Sequence, residues 1–92
     1  MSYEWDASKA AANLAKHGVG FEEATTVFED VYALTYRDLD HTLVEARYLT
    51  AGMSATNRVL IVVTADRDER VRIISARKAI SAERRDYESQ FR

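Results

Sequence analysis

Arg58-Val59-Leu60-Ile61-Val62-Val63-Thr64-Ala65 is the stretch on which the fold turns. It is rich in β-branched residues and lacks the apolar–polar alternation of a half-exposed strand. It therefore reads as a central strand covered on both faces. Strands are expected on both sides of it in sequence. Downstream, a charged turn from Asp66 to Glu69 leads into a strand from Arg70 to Ser75. Upstream, Val44 to Met53 alternates Val44, Ala46, Tyr48 and Thr50 against Glu45, Arg47, Leu49 and Ala51. Before that, Val31 to Arg37 reads as a further strand, with polar turns at Asp38 to Thr42 and Gly52 to Asn57. Strands joined by such short turns pair antiparallel as a meander.

Towards the termini the period becomes helical. Asp6 is a good N-cap, and Ala7, Ala10, Ala11, Leu14 and Ala15 follow at helical spacing, with Lys9, Asn13 and Lys16 on the other side. Lys16-His17-Gly18 is a stop signal: cations near the negative end of the dipole, then a residue tolerant of positive φ. Trp5 is placed to staple this helix. A second helix is expected from Phe21 to Phe28, with Phe21, Ala24, Val27 and Phe28 inward. Ser81 is expected to cap a last helix running to about Phe91, with Ile80 and Tyr87 inward. The expected fold is α+β, a single domain over residues 1–92: two N-terminal helices packed on a four-stranded antiparallel sheet, then a C-terminal helix.

Composition excludes many functions. There is no cysteine and no proline, and the glycines are isolated. Disulfides, thiolate metal sites and a glycine-rich phosphate loop are therefore ruled out. His17 and His41 do not have metal-ligand spacing, so neither metal nor cofactor is expected. The N-terminus lacks the regions of a signal peptide, and the apolar run Val59 to Val63 is far too short for a membrane span. A cytoplasmic protein that engages no membrane is the expectation. The net charge of −2 hides an asymmetry. Residues 1–57 carry −5 and residues 58–92 carry +3, while Arg67 to Arg85 alone carries +4. A basic pole on an acidic body fits a local polyanion site, and equally a solvated charged face.

The residues available for chemistry are mainly arginines on strands. Arg70 and Arg72 share one side of their strand by the two-residue period, and Arg77 falls just beyond its expected end. Guanidinium groups clamp phosphate oxygens bidentately and keep their charge at any cellular pH. Tyr48 and Tyr87 could stack on a base, and His17 could act as acid or base. Each also has a structural reading. Arg70 and Arg72 could pair with Asp66, Asp68 and Glu69, Arg84 and Arg85 could be a solvated helix face, and His17 could serve the helix dipole.

Taken together, these residues resemble a known family. Trp5-Asp6, Lys9, Asn13, Lys16-His17-Gly18-Val19, Phe21-Glu22-Glu23-Ala24, Val27-Phe28, Arg47-Tyr48 with Gly52, Arg72-Ile73-Ile74-Ser75-Ala76-Arg77-Lys78-Ala79, Glu83-Arg84 and Tyr87-Glu88 are similar in order and spacing to BrnT toxins. Members often carry proline where this chain has Ala7 and Val31. The resemblance implies a RelE-like fold and the toxin of a type II toxin–antitoxin module. It implies a metal-independent endoribonuclease that cleaves RNA and arrests growth. It further implies a BrnA-like ribbon-helix-helix antitoxin and, through that complex, binding to operator DNA. Site expectations follow from it: His17, Arg72 and Arg77 catalytic, and Lys16, Arg47, Arg67 and Arg84 on the RNA. The alternative is a non-catalytic binding module acting within the antitoxin complex, and a purely structural domain is a third reading.

Overall fold

The computed structural model describes residues 2–39 and 45–91. Along the chain come β1 (Ser2–Glu4), α1 (Ala7–His17), α2 (Phe21–Thr26), β2 (Leu34–Arg37), β3 (Arg47–Met53), β4 (Val59–Arg67), β5 (Arg70–Lys78) and α3 (Ser81–Glu88). Short 3-10 turns occupy Val27–Glu29 and Ser89–Phe91. The sheet order is β1-β5-β4-β3-β2. β2 to β5 form the antiparallel meander expected from the sequence. β1 was not expected. It pairs parallel with β5, Ser2 opposite Arg70 and Glu4 opposite Arg72, so the sheet is five-stranded and mixed rather than four-stranded and antiparallel. The chain thus starts at one edge, crosses over the sheet as α1 and α2, and returns strand by strand to its starting point.

Other boundaries also move. Val31 and Tyr32 form an exposed turn, and β2 begins only at Leu34. Val44 and most of the Asp38 to Thr42 turn lie outside the described residues. β4 and β5 run further than expected and meet in a tight hairpin, Arg67 opposite Arg70, with Asp68 at φ 55. The Arg70 to Ser75 strand therefore extends to Lys78 and takes in Arg77.

One face of the sheet holds the core. Leu60, Val62, Ile73 and Ala76 pack against Val19, Phe21, Ala24 and Val27, with Tyr3, Trp5, Ala10 and Phe28 at the margin. Trp5 meets the Phe21 ring edge-on at 5.9 Å between centroids. Gly52 makes one close approach possible, because a Cβ there would lie 2.7 Å from Val27 Cγ1. Asp6 caps α1 as expected, its Oδ1 accepting from the Lys9 amide, and Gly18 ends it at φ 69.

The inward side of α1 differs from the expected one. Leu14 is 55% exposed, and Ala7, Ala11 and Ala15 face solvent. The inner stripe is instead Ala10, Asn13 and His17, with Asn13 buried. Asn13 Nδ2 donates to the carbonyls of Val19 (3.0 Å) and Ala76 (2.8 Å), and its Oδ1 accepts from the Ala76 amide (3.2 Å). β1 ends at Glu4, opposite Arg72, and leaves the rest of β5 with a bare edge. Asn13 supplies the peptide-like partner that this edge lacks. Three hydrogen bonds at a buried site outweigh the burial of four alanine and leucine side chains that make few contacts.

At the far end of the core, Glu23 accepts from Arg58 Nη2 (2.6 Å) and Nε (2.8 Å) and from Ser54 Oγ (2.7 Å). The Arg58 guanidinium and the hydroxyls of Thr56 and Ser54 hold its carboxyl down at about 2, against an ordinary 4.5. α3 starts where Glu83 Oε1 accepts from the Ile80 amide, so Ile80 rather than Ser81 is the cap. Ile80 is 62% exposed, contrary to expectation, whereas Tyr87 is buried and its hydroxyl donates to Asp30 Oδ2.

Two stability measurements follow. Asn13→Ala leaves the Val19 and Ala76 groups unpaired and should cost roughly 2–4 kcal/mol in denaturant unfolding. Leu14→Ala, on the exposed side, should stay within about 0.5 kcal/mol. Because the Glu23 pKa is depressed, its contribution is present above the ordinary carboxylate range and is lost as pH falls towards 2. Glu23→Gln should therefore cost roughly 2–3 kcal/mol at neutral pH and flatten the loss of stability between about pH 5 and 2.

Candidate functional site

The second face of the sheet has no helix over most of it, and its chemistry depends on an irregularity in β5. Strict two-residue alternation would put Arg72 and Arg77 on opposite faces. The register shifts between Val63 and Thr64: Val63 lies opposite Ser75, but Thr64 lies opposite Ile73. Ile74 is the extra residue of a β-bulge, and beyond it every side chain changes face. Ile73 and Ala76 consequently both enter the core, and Arg70, Arg72, Ser75 and Arg77 all point to the open face. Arg47 and Arg67 join them, because Arg47 is opposite Ala65, Ala65 opposite Arg72, and Arg67 opposite Arg70. Five arginines therefore share this face.

Three glutamates hold four of these arginines. Arg77 makes a bidentate pair with Glu83, Nη1 to Oε1 at 2.8 Å and Nη2 to Oε2 at 2.9 Å. That pairing raises the Arg77 pKa above its already high value and lowers that of Glu83. Arg72 Nη1 donates to Glu4 Oε2 at 2.9 Å. Glu45 accepts from both Arg47 Nη2 (3.4 Å) and Arg67 Nε (3.3 Å). Two donors or charges remain unmet. Arg47 Nε is buried with no hydrogen-bond partner among the described residues. Arg70 has no ion-pair partner among the described residues, and directly across the hairpin it faces the like charge of Arg67.

The expected site residues do not all meet here. Arg72, Arg77, Arg47 and Arg67 do. Arg84 lies nearby on α3, where it lines a cavity of about 230 Å³ with Lys78, Arg58, Asn57 and Glu88. His17 and Lys16 do not reach this face. They end α1, which packs on the core face through Asn13 and Ala76. Tyr48, opposite Thr64, also points to the core side, while Tyr87 is buried beneath α3. Among the described residues, no three His, Asp or Glu side chains converge as metal ligands, and no helix is long and apolar enough to cross a membrane.

Residues 5–83 match the sequence profile described as "Ribonuclease toxin, BrnT, of type II toxin-antitoxin system". The chain belongs to the BrnT family. Its fold is similar to the crystal structure of the Brucella abortus ribonuclease toxin BrnT, with a TM-score of 0.69 at 23% identity. That likeness covers 88% of this chain and 99% of the other. No curated protein matches the sequence.

In this BrnT chain, sequence reasoning missed the glutamates that orient the arginines. Glu4 lies 68 residues from Arg72, so no local pattern shows that pair, whereas Glu45 stands two residues before Arg47 and 22 before Arg67. Glu83 was readable, six residues beyond Arg77 and at the N3 position of a helix that needs a cap.

Proposed function

We propose that this chain is a metal-independent endoribonuclease whose working surface is the open arginine face. The observation that carries the reading is the Ile74 bulge, which turns Arg72 and Arg77 to the same side as Arg47, Arg67 and Arg70. The reaction needs no external nucleophile. The ribose 2′-hydroxyl attacks the adjacent phosphorus, the P–O5′ bond breaks, and the products are a 2′,3′-cyclic phosphate and a 5′-hydroxyl. Water takes the 2′ proton and supplies one to the leaving oxygen. The extra negative charge on the phosphorane-like transition state is met by the guanidiniums of Arg72 and Arg77, already fixed by Glu4 and Glu83. Arg47, Arg67 and Arg70 track the backbone. In this geometry His17 has no part in proton transfer, and Lys16 no part in holding the scissile strand. Arg84, beside Lys78, extends the basic track past α3.

The reading extends to the cytoplasm as the site of action, to a BrnA-like ribbon-helix-helix antitoxin, and to operator DNA bound through that complex. An acidic antitoxin segment laid over the arginines would neutralise the toxin by occupying its phosphate positions.

Induced expression in a bacterium tests this. The wild type should arrest growth with RNA degradation. Arg77→Ala should cut RNA roughly 10²-fold more slowly or worse, and Arg77→Lys, which keeps charge but loses the fork, should fall between. An Arg77→Ala protein that is folded, binds antitoxin and remains fully toxic overturns the assignment.

A further inference from the structure

Beside Arg77 lies a small cavity with a composition different from the rest of the arginine face. Tyr36, Leu49, Ala51 and Ile61 form its floor, and Glu83 and Asp86 of α3 form its rim. The floor is laid by register: Tyr36 is opposite Leu49, Ala51 opposite Ile61, and Ile61 opposite Arg77. The volume is about 110 Å³. That is room for about four waters and well below a drug-sized pocket, the scale of a single flat heterocycle.

We propose that this cavity is a base-selecting subsite for guanine in the RNA, resting on the ribonuclease reading above. Tyr36 is 53% exposed on the sheet surface and offers an aromatic ring for stacking on a base. The two carboxylates on the rim are not equivalent. Glu83 is fully engaged, with both oxygens on Arg77 and one also on the Ile80 amide. Asp86 is exposed, and among the described residues its side chain meets only the Tyr36 hydroxyl, at a long 3.4 Å. Asp86 is thus an acceptor-only group with unused capacity at the mouth of an apolar cavity.

That group discriminates among bases. A carboxylate next to an RNA strand is unfavourable unless the base donates to it. Guanine presents N1–H and N2–H side by side, matching the two carboxylate oxygens as charge-assisted bonds. Adenine and cytosine offer an amino group beside a ring nitrogen whose lone pair repels the carboxylate. Uracil offers one N–H flanked by two carbonyls. The base would lie flat on the Leu49–Ile61 floor against Tyr36, with its phosphate towards Arg77, across from Ile61.

The test is nucleotide binding, which does not require turnover. Guanosine, adenosine, cytidine and uridine 3′-monophosphates are titrated against the full chain while NMR signals of Tyr36 and Ile61 are followed. The guanosine nucleotide should bind roughly ten- to a hundred-fold more tightly than the others. Asp86→Asn, a near-isosteric change at an exposed position, should abolish that preference. Sequencing of cut RNA should show guanine enriched next to the cleavage site with wild type and not with Asp86→Asn. Equal affinities, or a guanosine preference that survives Asp86→Asn, overturn the subsite. If the wild type cuts no RNA, the ribonuclease reading fails, and the nucleotide titration still decides the pocket by itself.

Discussion

Asn13 holds the second half of β5 in place, and the open arginine face depends on that half. Two requirements meet in this strand. Its residues before Ile74 pair with β1 at the edge, and those after it do not. A bulge leaves the strand bent, with one residue outside the ladder, so the segment beyond it needs another anchor. The Asn13 amide binds the Ala76 amide and carbonyl as a neighbouring strand would. The same side chain binds Val19, so the α1–α2 connection is tied to the strand at one point. Without that clamp the strand could slip back into regular alternation, and Arg77 would point into the core.

The arginine–glutamate pairs belong to the site more than to the stability of the fold. A half-exposed ion pair contributes little to folding, typically about 0–1 kcal/mol. Its value here is orientation. A guanidinium has five N–H donors, and a bidentate carboxylate uses two of them. Arg77 therefore keeps further donors while Glu83 fixes its plane. Three glutamates among five arginines also leave a net positive face, at the pole of a chain whose overall charge is −2. Such a surface concentrates positive potential locally while the whole protein stays mildly acidic.

What the sequence showed followed the range of the interactions involved. Both N-terminal helices, the meander and its central strand came from patterns a few residues long. Asp6, Gly18 and the apolar run at Val59 to Val63 carried enough local signal to place them. β1 did not: three residues are too few to show a period, and their partner is at the other end of the chain. Asn13 misled because a polar residue at helical spacing normally faces water, and only the bare edge of β5 makes it an inward group. Ile80 misled in the opposite sense, being apolar yet exposed because the cap is made by Glu83 and by Ile80's own backbone. Within the site, Arg72 and Arg77 were singled out by resemblance. Simple alternation would have separated them, and the bulge that reunites them leaves no mark in Ile73-Ile74-Ser75.

The open face also explains why the arginines cannot be purely functional. Ala65 has no exposed surface although no helix covers it. Its cross-strand neighbours are Arg47 on one side and Arg72 on the other. Ile61, 5% exposed, lies between Ala51 and Arg77, under the start of α3. Long aliphatic stems laid across the sheet shield these side chains while their charged ends stay in water. The face can then remain open without leaving a bare apolar patch, which on a monomer would invite association. The same side chains thus serve as lid for the apolar layer below and present positive charge above.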